Sequence, residues 1–339
     1  MQIKEFGELN IIKKFLTQFE VSNHNILKGI GDDAAVIKFD NKCLLITTDM
    51  LVEDVHFLSS YTSQYVLGKK AVAVSLSDIA AMGGIPKYLL TSIAMPEHTL
   101  TEFIDLFYRG VKERIEEFNM ALIGGNTSSS PDRIIIESVV IGEALTEQVV
   151  YRNGAKVGDI VYTTGFLGDS ALGLRIWKTK GTEPVTDPFM RDAMLKHINP
   201  VPRVKEGRLI AEKRLASAMI DISDGLIQDL RHIAEKSGVG ARVRLSNIPL
   251  STAMKRHILN KPDDITFAMS GGEDYELLFT ARPERKEEIE ELSKEINLPI
   301  TAIGEIVPKE NGIKVIAQDG MEMKIEKEGF EHFREQHAE

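Results

Sequence analysis

Cysteine is almost absent from the 339-residue sequence, which contains only Cys43. A single cysteine excludes an intramolecular disulfide, and no Cys/His spacing typical of a zinc site occurs. Because Cys43 lies in the apolar run KCLLIT, we expect a small buried residue rather than a reactive thiol.

Long hydrophobic runs are also lacking. No stretch approaches the roughly 18 apolar residues that a membrane-spanning helix needs. Charges interrupt every apolar stretch of the N-terminal segment MQIKEFGELNIIKKFLTQFE, so it is not a signal peptide, and its apolar spacing predicts a helix. We therefore expect a cytoplasmic protein without a membrane partner.

Lysine- and arginine-rich blocks are missing, and the formal net charge is −10. This balance argues against nucleic acid or an anionic membrane as the main partner. The phosphate-binding loop GxxxxGK[ST] does not occur either. If the ligand is a phosphate, an acidic chain of this kind needs metal ions to hold it.

Strand-like and helix-like segments alternate along the chain, which predicts a mixed α/β (α+β) fold. The length suffices for two domains, and the turn-rich segment TEQVVYRNGAKVGD predicts domains 1–147 and 148–339. Predicted strands include AAVIKF, KCLLITTD, KYLLTSIAMP, RIIIESVVIGEAL and DIVYTTG. Predicted helices include GKKAVAVSLSDIAAMGG, ERKEEIEELSKEIN and a segment capped by Thr99 or Thr101. MALIGGNTSSS is predicted to be a strand entering a glycine turn, and ITFAMSGGEDYELLFTA to be two strands around another.

The stretch GIGDDAAVI fits the loose dinucleotide-binding fingerprint at Gly29, Gly31 and Ala34. Its surroundings do not: NHNILK before it is a poor strand, and AAVIKF after it is strand-like rather than helical. Asp32 and Asp33 would also repel a pyrophosphate. The stretch therefore predicts something other than a dinucleotide site.

Aspartates embedded among small or apolar residues are the stronger signal, because an unpaired carboxylate is costly in such surroundings. These residues are Asp32, Asp33, Asp49, Asp78, Asp221 and Asp224. Taken singly, each fits a turn, a helix cap or a paired core acid. Together with the hydroxyls of Thr47, Thr48 and Ser223, they form the hard-oxygen set that suits Mg²⁺. We therefore predict that glycine turns present acids to several magnesium ions, which hold a phosphate, either at two related sites or at one shared site.

Other segments offer hydrogen-bond donors and substrate contacts. LIGGNTSSS places backbone N–H groups at Gly124 and Gly125, which predicts a phosphate nest. SGGEDYELLF has Glu273 at its centre, and Arg152 and Lys70 can neutralise phosphate charge. His56, in VEDVHF, is either a site residue or a structural histidine.

Six of these segments occur in order over residues 29–279: GIGDDAAVI, TTDMLVEDVHF, GKKAVAVSLSDIAAMGG, LIGGNTS, AMIDISDGL and SGGEDYELLF. The set resembles the thiamine-monophosphate kinase family of the aminoimidazole ribonucleotide synthetase superfamily. The resemblance implies an N-terminal α/β domain whose strands build a barrel across a homodimer interface, with a C-terminal α/β domain beside it. It also implies transfer of the γ-phosphoryl group of ATP to thiamine monophosphate, giving thiamine diphosphate.

The same resemblance implies three groups of site residues. The magnesium ligands are Asp33, Thr47, Thr48, Asp49, Asp78, Asp221 and Asp224, with Asn126 where the family has Asp. The ATP contacts are Tyr108, Gly124, Gly125, Asn126, Arg152 and Ser223. The thiamine monophosphate contacts are His56, Glu273 and the aromatic residue Phe330. Because an amide brings no charge, Asn126 predicts weaker metal binding.

Two alternatives remain open at this stage. One is another ATP-dependent enzyme of the superfamily with a different acceptor. Its selenophosphate branch relies on a reactive Cys or selenocysteine in a glycine-rich segment. Here Cys43 is in a predicted strand, which argues against that branch. The other is a non-catalytic nucleotide- and metal-binding protein, marked by Asn126. For the kinase, we expect direct in-line transfer without a phosphoenzyme, because the attacking group is already an anionic phosphate oxygen.

Overall fold

Two open sheets, one from each half of the chain, form the framework of the computed structural model, which describes residues 3–19 and 23–333. The first half contributes β1 (Ile26–Lys28), β2 (Ala35–Phe39), β3 (Lys42–Val52), β4 (Ile85–Met95), β5 (Ala121–Ser129) and β6 (Ile135–Leu145). Its helices are α1 (Ile3–Phe6), α2 (Glu8–Gln18), α3 (Gln64–Ala81) and α4 (Thr101–Glu117). The strand order is β1-β2-β3-β6-β4-β5, antiparallel except for the parallel β4–β5 pair.

The second half builds a seven-stranded sheet. Its strands are β7 (Ile160–Thr164), β8 (Ala218–Asp221), β9 (Gly240–Arg244), β10 (Leu277–Ala281), β11 (Ile300–Val307), β12 (Ile313–Ile316) and β13 (Glu322–Met323). Its helices are α5 (Asp169–Lys180), α6 (Pro188–Ile198), α7 (Val204–Glu212), α8 (Leu226–Ser237), α9 (Thr252–Asn260), α10 (Phe267–Ser270) and α11 (Lys286–Ile296). The order is β13-β12-β9-β11-β7-β10-β8, in which only β12–β9 is a parallel pair. Neither sheet closes into a barrel within the described residues.

Helix α3 lies between the halves and is buried on nearly all sides, as its apolar composition predicts. It contacts β3, β4 and β6 of the first sheet, and α7 and β8 of the second half. A glycine permits its close crossing with α4, because a Cβ at Gly68 would overlap the backbone of Phe107. One apolar cluster therefore continues from the first half into the second.

The first sheet has two different faces. Alternation along β3 turns Thr47 and Leu51 toward α3, whereas Thr48 and Met50 point to the opposite, outer face. The outer face exposes large apolar side chains, including Leu44, Met50, Ile85 and Tyr88. Helices cover only the inner face of this sheet in the part of the chain that is described.

Most predicted elements are confirmed, and Cys43 is buried as expected. Among the described helices, none has the length and apolar character needed to cross a lipid bilayer. NHNILK, which is a poor strand by sequence, contains the short β1.

Three local predictions are wrong. Leu100 is the N-cap of α4 and makes no side-chain capping bond, so neither Thr99 nor Thr101 caps the helix. Gly124 and Gly125 lie within β5, not in a turn, because parallel pairing with β4 continues through them. The apolar segment ITFAMS forms a 3₁₀ turn and α10 rather than a strand, so only β10 follows the glycines.

Candidate functional site

Carboxylates from both halves of the chain meet at one point. Carboxylate oxygens of Asp33, Asp78 and Asp221 all lie within 4.8 Å of one another. Asp33 belongs to the loop before β2, Asp78 to the last turn of α3, and Asp221 to the end of β8. We call these three residues the acid cluster.

Hydroxyl groups hold two of these carboxylates and the carboxylate of Asp49. Ser77 Oγ donates to Asp221 Oδ2 at 2.6 Å, and Thr47 Oγ1 donates to Asp78. Ser75 Oγ donates to Asp49 Oδ2 at 2.7 Å. Asp49 lies within β3, whereas the segment KCLLITTD predicts it at the end of that strand. Since Ser75 and Ser77 both lie on α3, this helix orients acids from the two halves.

Burial makes the ionised cluster unfavourable without a cation. Burial raises the pKa of Asp33 to about 7 and that of Asp221 to about 6. It also raises the pKa of Asp78 well above its usual range, and the negative charges of Asp49 and Asp221 raise it further. A divalent cation bound by these oxygens would remove that penalty.

Arg152 forms an ion pair with the acid cluster. Its Nη2 lies 2.7 Å from Asp33 Oδ1, and its backbone N–H donates to Asp32 Oδ1 at 3.1 Å. Asp33 Oδ2 is buried and has no hydrogen-bond partner among the described residues. A carboxylate oxygen left in this position, beside two other carboxylates, fits a hard metal ion such as Mg²⁺.

A second group of predicted residues lies at the turn after β8. Asp224 O accepts from Phe330 N at 2.9 Å, and Gln228 Nε2 donates to Phe330 O at 2.8 Å. Burial, followed by the charge of Glu8, raises the pKa of Asp224 to about 6. The C-terminal segment thus places Phe330 directly beside a predicted metal ligand.

The predicted substrate residues His56 and Phe330 are joined by a chain of rings. The His332 ring lies 4.8 Å from that of Phe330 and 5.2 Å from that of His56. His56 Nδ1 accepts from Val52 N at 3.0 Å, which fixes the ring, and burial lowers the pKa of His56.

Glu273 is tied to this group through a lysine. Lys70 Nζ lies 2.8 Å from Glu273 Oε1 and donates to His56 O at 3.1 Å. Glu273 N donates to Ser223 O at 2.8 Å, in the turn that carries Asp224. The role of Lys70 in neutralising phosphate charge stays a prediction, and in this structure its ammonium group is paired with Glu273.

Sequence reasoning missed His197, whose Nδ1 lies 3.3 Å from Glu273 Oε2. No motif marks His197, which lies on the short helix α6. For Lys70 a signal existed: a lysine inside an apolar helix needs a buried carboxylate partner.

The remaining predicted residues lie elsewhere in this chain. Thr48 Oγ1 donates to Glu137 Oε1 at 3.3 Å on the outer face of the first sheet, away from Thr47. Asp49 and Gly125 occupy one row across the sheet with two strands between them, a separation of roughly 14 Å. Asn126 follows Gly125 and pairs in register with Ser92, so its side chain points to the outer face.

Tyr108 is also distant from the acid cluster. It lies on α4 next to Phe107, whose ring is 5.2 Å away, where α4 crosses α3 at Gly68. Asp78 is ten residues, or roughly 15 Å, further along α3. Of the predicted ATP contacts, Arg152 therefore contacts the acid cluster and Ser223 contacts Glu273, whereas Tyr108 and the Gly124–Asn126 stretch lie elsewhere in this chain.

The chain matches two family profiles that together cover most of its length. They are the N-terminal domain of AIR synthase related proteins, over residues 31–144, and the C-terminal domain, over residues 156–316. Its relatives include the thiamine-monophosphate kinase of Aquifex aeolicus, 38% identical over 98% of this chain and 99% of that protein. The thiamine-monophosphate kinase of Bacillus subtilis is 37% identical over 94% and 97%, respectively.

Solved structures agree with these relatives. AaThiL complexed with AMPPCP and TMP matches with a TM-score of 0.86 and 37% identity, over 98% of this chain and 99% of that chain. Escherichia coli HypE, a hydrogenase maturation protein, is only 19% identical and shares the fold, with a TM-score of 0.68 over 95% and 97%. The chain therefore belongs to the thiamine-monophosphate kinase family of AIR synthase-related proteins.

Proposed function

We propose that the chain transfers the γ-phosphoryl group of ATP directly to the phosphate of thiamine monophosphate, giving thiamine diphosphate and ADP without a phosphoenzyme. The observation that carries this proposal is the convergence of Asp33, Asp78 and Asp221 from both halves, with His56 and Glu273 joined through Lys70 on the helix that carries Asp78. The family relatives support the same reaction, and one solved relative is complexed with AMPPCP and TMP.

The donor set fits several Mg²⁺ ions. We propose that Asp33, Thr47, Asp49, Asp78, Asp221 and Asp224 hold them, since carboxylate and hydroxyl oxygens suit this metal. When bound, magnesium neutralises the charge of both phosphate groups and of the transition state. The chain's own residues orient the ligands through Ser75, Ser77 and Arg152. No strong general base is required, because the attacking phosphate oxygen is already anionic.

We further propose a homodimer formed through the outer face of the first sheet. Its exposed apolar side chains and the edge of β5, beside which no further strand pairs among the described residues, favour covering by a second copy. Strands of two copies would then form the expected barrel. Asn126 lies three strand positions away from Asp49, at ~4.8 Å per strand, and points to the other face of the sheet. We therefore propose that Asn126, Thr48 and Gly125 serve a site shared between subunits.

Mixed dimers test this arrangement. Asp78→Asn and Asn126→Lys are expected to be inactive alone. If each site uses both subunits, a heterodimer of the two variants has one site with both native residues and regains activity. If each site lies within one chain, the heterodimer stays inactive, and the shared site is refuted.

The reaction itself is tested by incubating the protein with ATP, Mg²⁺ and thiamine monophosphate and separating the products by chromatography. Equal amounts of thiamine diphosphate and ADP are expected, with loss of both in Asp78→Asn and retention in Asp159→Asn, a buried acid outside the site. ADP without thiamine diphosphate would indicate a different acceptor. ATP binding without turnover, unchanged by Asn126→Asp, would identify a binding protein instead.

Two further expectations join this proposal. We propose that the chain divides into domains 1–147 and 148–339, since β1–β6 precede this boundary and β7–β13 follow it. A cytoplasmic location suits a reaction that consumes ATP.

A further inference from the structure

Lys70 is a buried lysine whose ion pair is not with the acid cluster. It lies on α3 and is 1% exposed. A buried ammonium group is costly unless an opposite charge and hydrogen bonds compensate for it. Lys70 Nζ has partners on two separate segments, Glu273 Oε1 at 2.8 Å and His56 O at 3.1 Å. These partners come from different halves of the chain.

Glu273 is held from several sides. Its backbone has φ +65°, a left-handed conformation that a glutamate adopts only when its surroundings hold it there. Its Oε2 faces His197 Nδ1 at 3.3 Å, and Ser170 Oγ lies 3.1 Å from the same ring nitrogen. Burial lowers the pKa of His197 to about 4, so this imidazole is neutral near pH 7. Lys70 is therefore the cation that balances the Glu273 carboxylate.

We propose that Lys70 is a positioning residue for the nitrogen heterocycle of the substrate. It joins the His56 and Glu273 segments across the two halves and keeps the Glu273 carboxylate ionised as an acceptor for ring or amino N–H groups. The inference rests on the proposed function, because thiamine monophosphate carries an aminopyrimidine at the end opposite its phosphate.

The position of Lys70 on α3 also fixes its distance from the metal-binding end of the site. Lys70 and Asp78 are eight residues apart, so they lie near one helix face at a separation of about 12 Å. One rigid helix thus sets the distance between the heterocycle-binding end and the metal-binding end of the site. Thiamine monophosphate, a two-ring phosphate ester, would extend between these two ends of the site. ATP binding would not need Lys70.

The test compares Lys70→Met with the matched control Lys69→Met. Lys69 is the neighbouring residue, and its Nζ pairs instead with Glu113 at 2.8 Å and Glu117 at 3.2 Å. Calorimetry with a non-hydrolysable ATP analogue measures the Kd for thiamine monophosphate, and steady-state kinetics measures KM for both substrates. In Lys70→Met, both constants for thiamine monophosphate should rise by about 10- to 100-fold, the usual effect of losing a charge-assisted hydrogen bond.

Three further results are expected from the same measurements. KM for ATP should stay within about twofold of the wild type, Lys69→Met should behave like the wild type, and Lys70→Arg should recover part of the affinity. An equal rise of both KM values, or unchanged affinity for thiamine monophosphate, overturns the proposal.

A folding failure of Lys70→Met does not end the test. The double variant Lys70→Met/Glu273→Gln removes both charges and leaves no buried ion unpaired. Its expected result is the same weakened binding, and wild-type affinity in this variant overturns the proposal. A wild-type chain that binds no thiamine monophosphate refutes the proposed function and the inference together, whereas equal binding by wild type and Lys70→Met refutes only the inference.

Discussion

Removing one carboxylate from the acid cluster should stabilise the metal-free protein while it abolishes activity. Asp78→Asn is the most informative change, because this aspartate lies in the apolar helix α3 and no ion pair among the described residues includes it. The amide oxygen of the variant still accepts from Thr47, and the side-chain volume is almost unchanged. The main difference is therefore the lost negative charge.

The geometry gives the magnitude. Oxygens of Asp78, Asp33 and Asp221 lie within 4.8 Å of one another. Two unit charges at that separation repel by about 3.5 kcal/mol at an effective dielectric constant of about 20. The wild type escapes part of this cost by binding protons. We therefore expect metal-free Asp78→Asn to exceed the wild type in unfolding free energy by about 2–4 kcal/mol at pH ~7.5.

The sign of the pH dependence follows from the raised pKa values. Burial raises the pKa of Asp78, of Asp33 to about 7 and of Asp221 to about 6, so the folded state binds more protons than the unfolded state. The unfolding free energy of the metal-free wild type should fall as pH rises from about 4 to about 7. The advantage of Asp78→Asn should therefore shrink at the acidic end of this range.

Urea denaturation in EDTA, followed by circular dichroism at pH ~5 and ~7.5, measures both effects. Added Mg²⁺ should stabilise the wild type more than the variant. Asp159→Asn is the control, because Asp159 accepts from Lys156 N at 3.0 Å and Ser217 Oγ at 2.6 Å and lies outside the cluster, so it should be destabilised at both pH values. If metal-free Asp78→Asn is less stable than the wild type at both pH values, the carboxylate is a structural acceptor and the reasoning is refuted.

Three other substitutions or reactions give further predictions. Arg152→Met should lower the unfolding free energy by about 3 kcal/mol at pH ~7.5, and less at pH ~5 where Asp33 is protonated, as measured by urea denaturation. Gly68→Ala should lower the Tm, although alanine favours helices by about 1 kcal/mol, because its Cβ would overlap the backbone of Phe107; a Tm equal to or above the wild type contradicts this. Cys43 should react with a thiol reagent only after unfolding, which absorbance measures, and rapid labelling of the native protein would contradict its burial.

The acids were predictable because the sequence places them where carboxylates are normally excluded. Asp78 in an apolar helix and Asp221 at the end of a buried strand need a charge partner, and chemistry alone indicates a metal. That both belong to one site was not predictable, because no local pattern specifies how two halves of a chain pack.

Local patterns failed where tertiary structure decides the outcome. ITFAMS is a short apolar run, and such runs fit a strand or a helix equally well. Gly124 and Gly125 look like a turn, yet Gly125 lies in β5, where a Cβ would overlap the Thr91 carbonyl. Lys70 in an apolar helix signals a buried acidic partner, yet the pairing with Glu273 spans 203 positions and no local pattern indicates which acid it is.

The site depends on how the two halves are held together, and α3 is the element that holds them. Ser77 binds Asp221 of the second half, and Lys70 binds Glu273 of the second half, so two cross-half contacts lie along one helix. Close packing fixes the separation further, because a Cβ at Gly207 of α7 would overlap the Ala80 carbonyl. A shift of one half against the other would therefore disturb metal binding and heterocycle binding at once, which explains why residues so far apart in the sequence must act as one site.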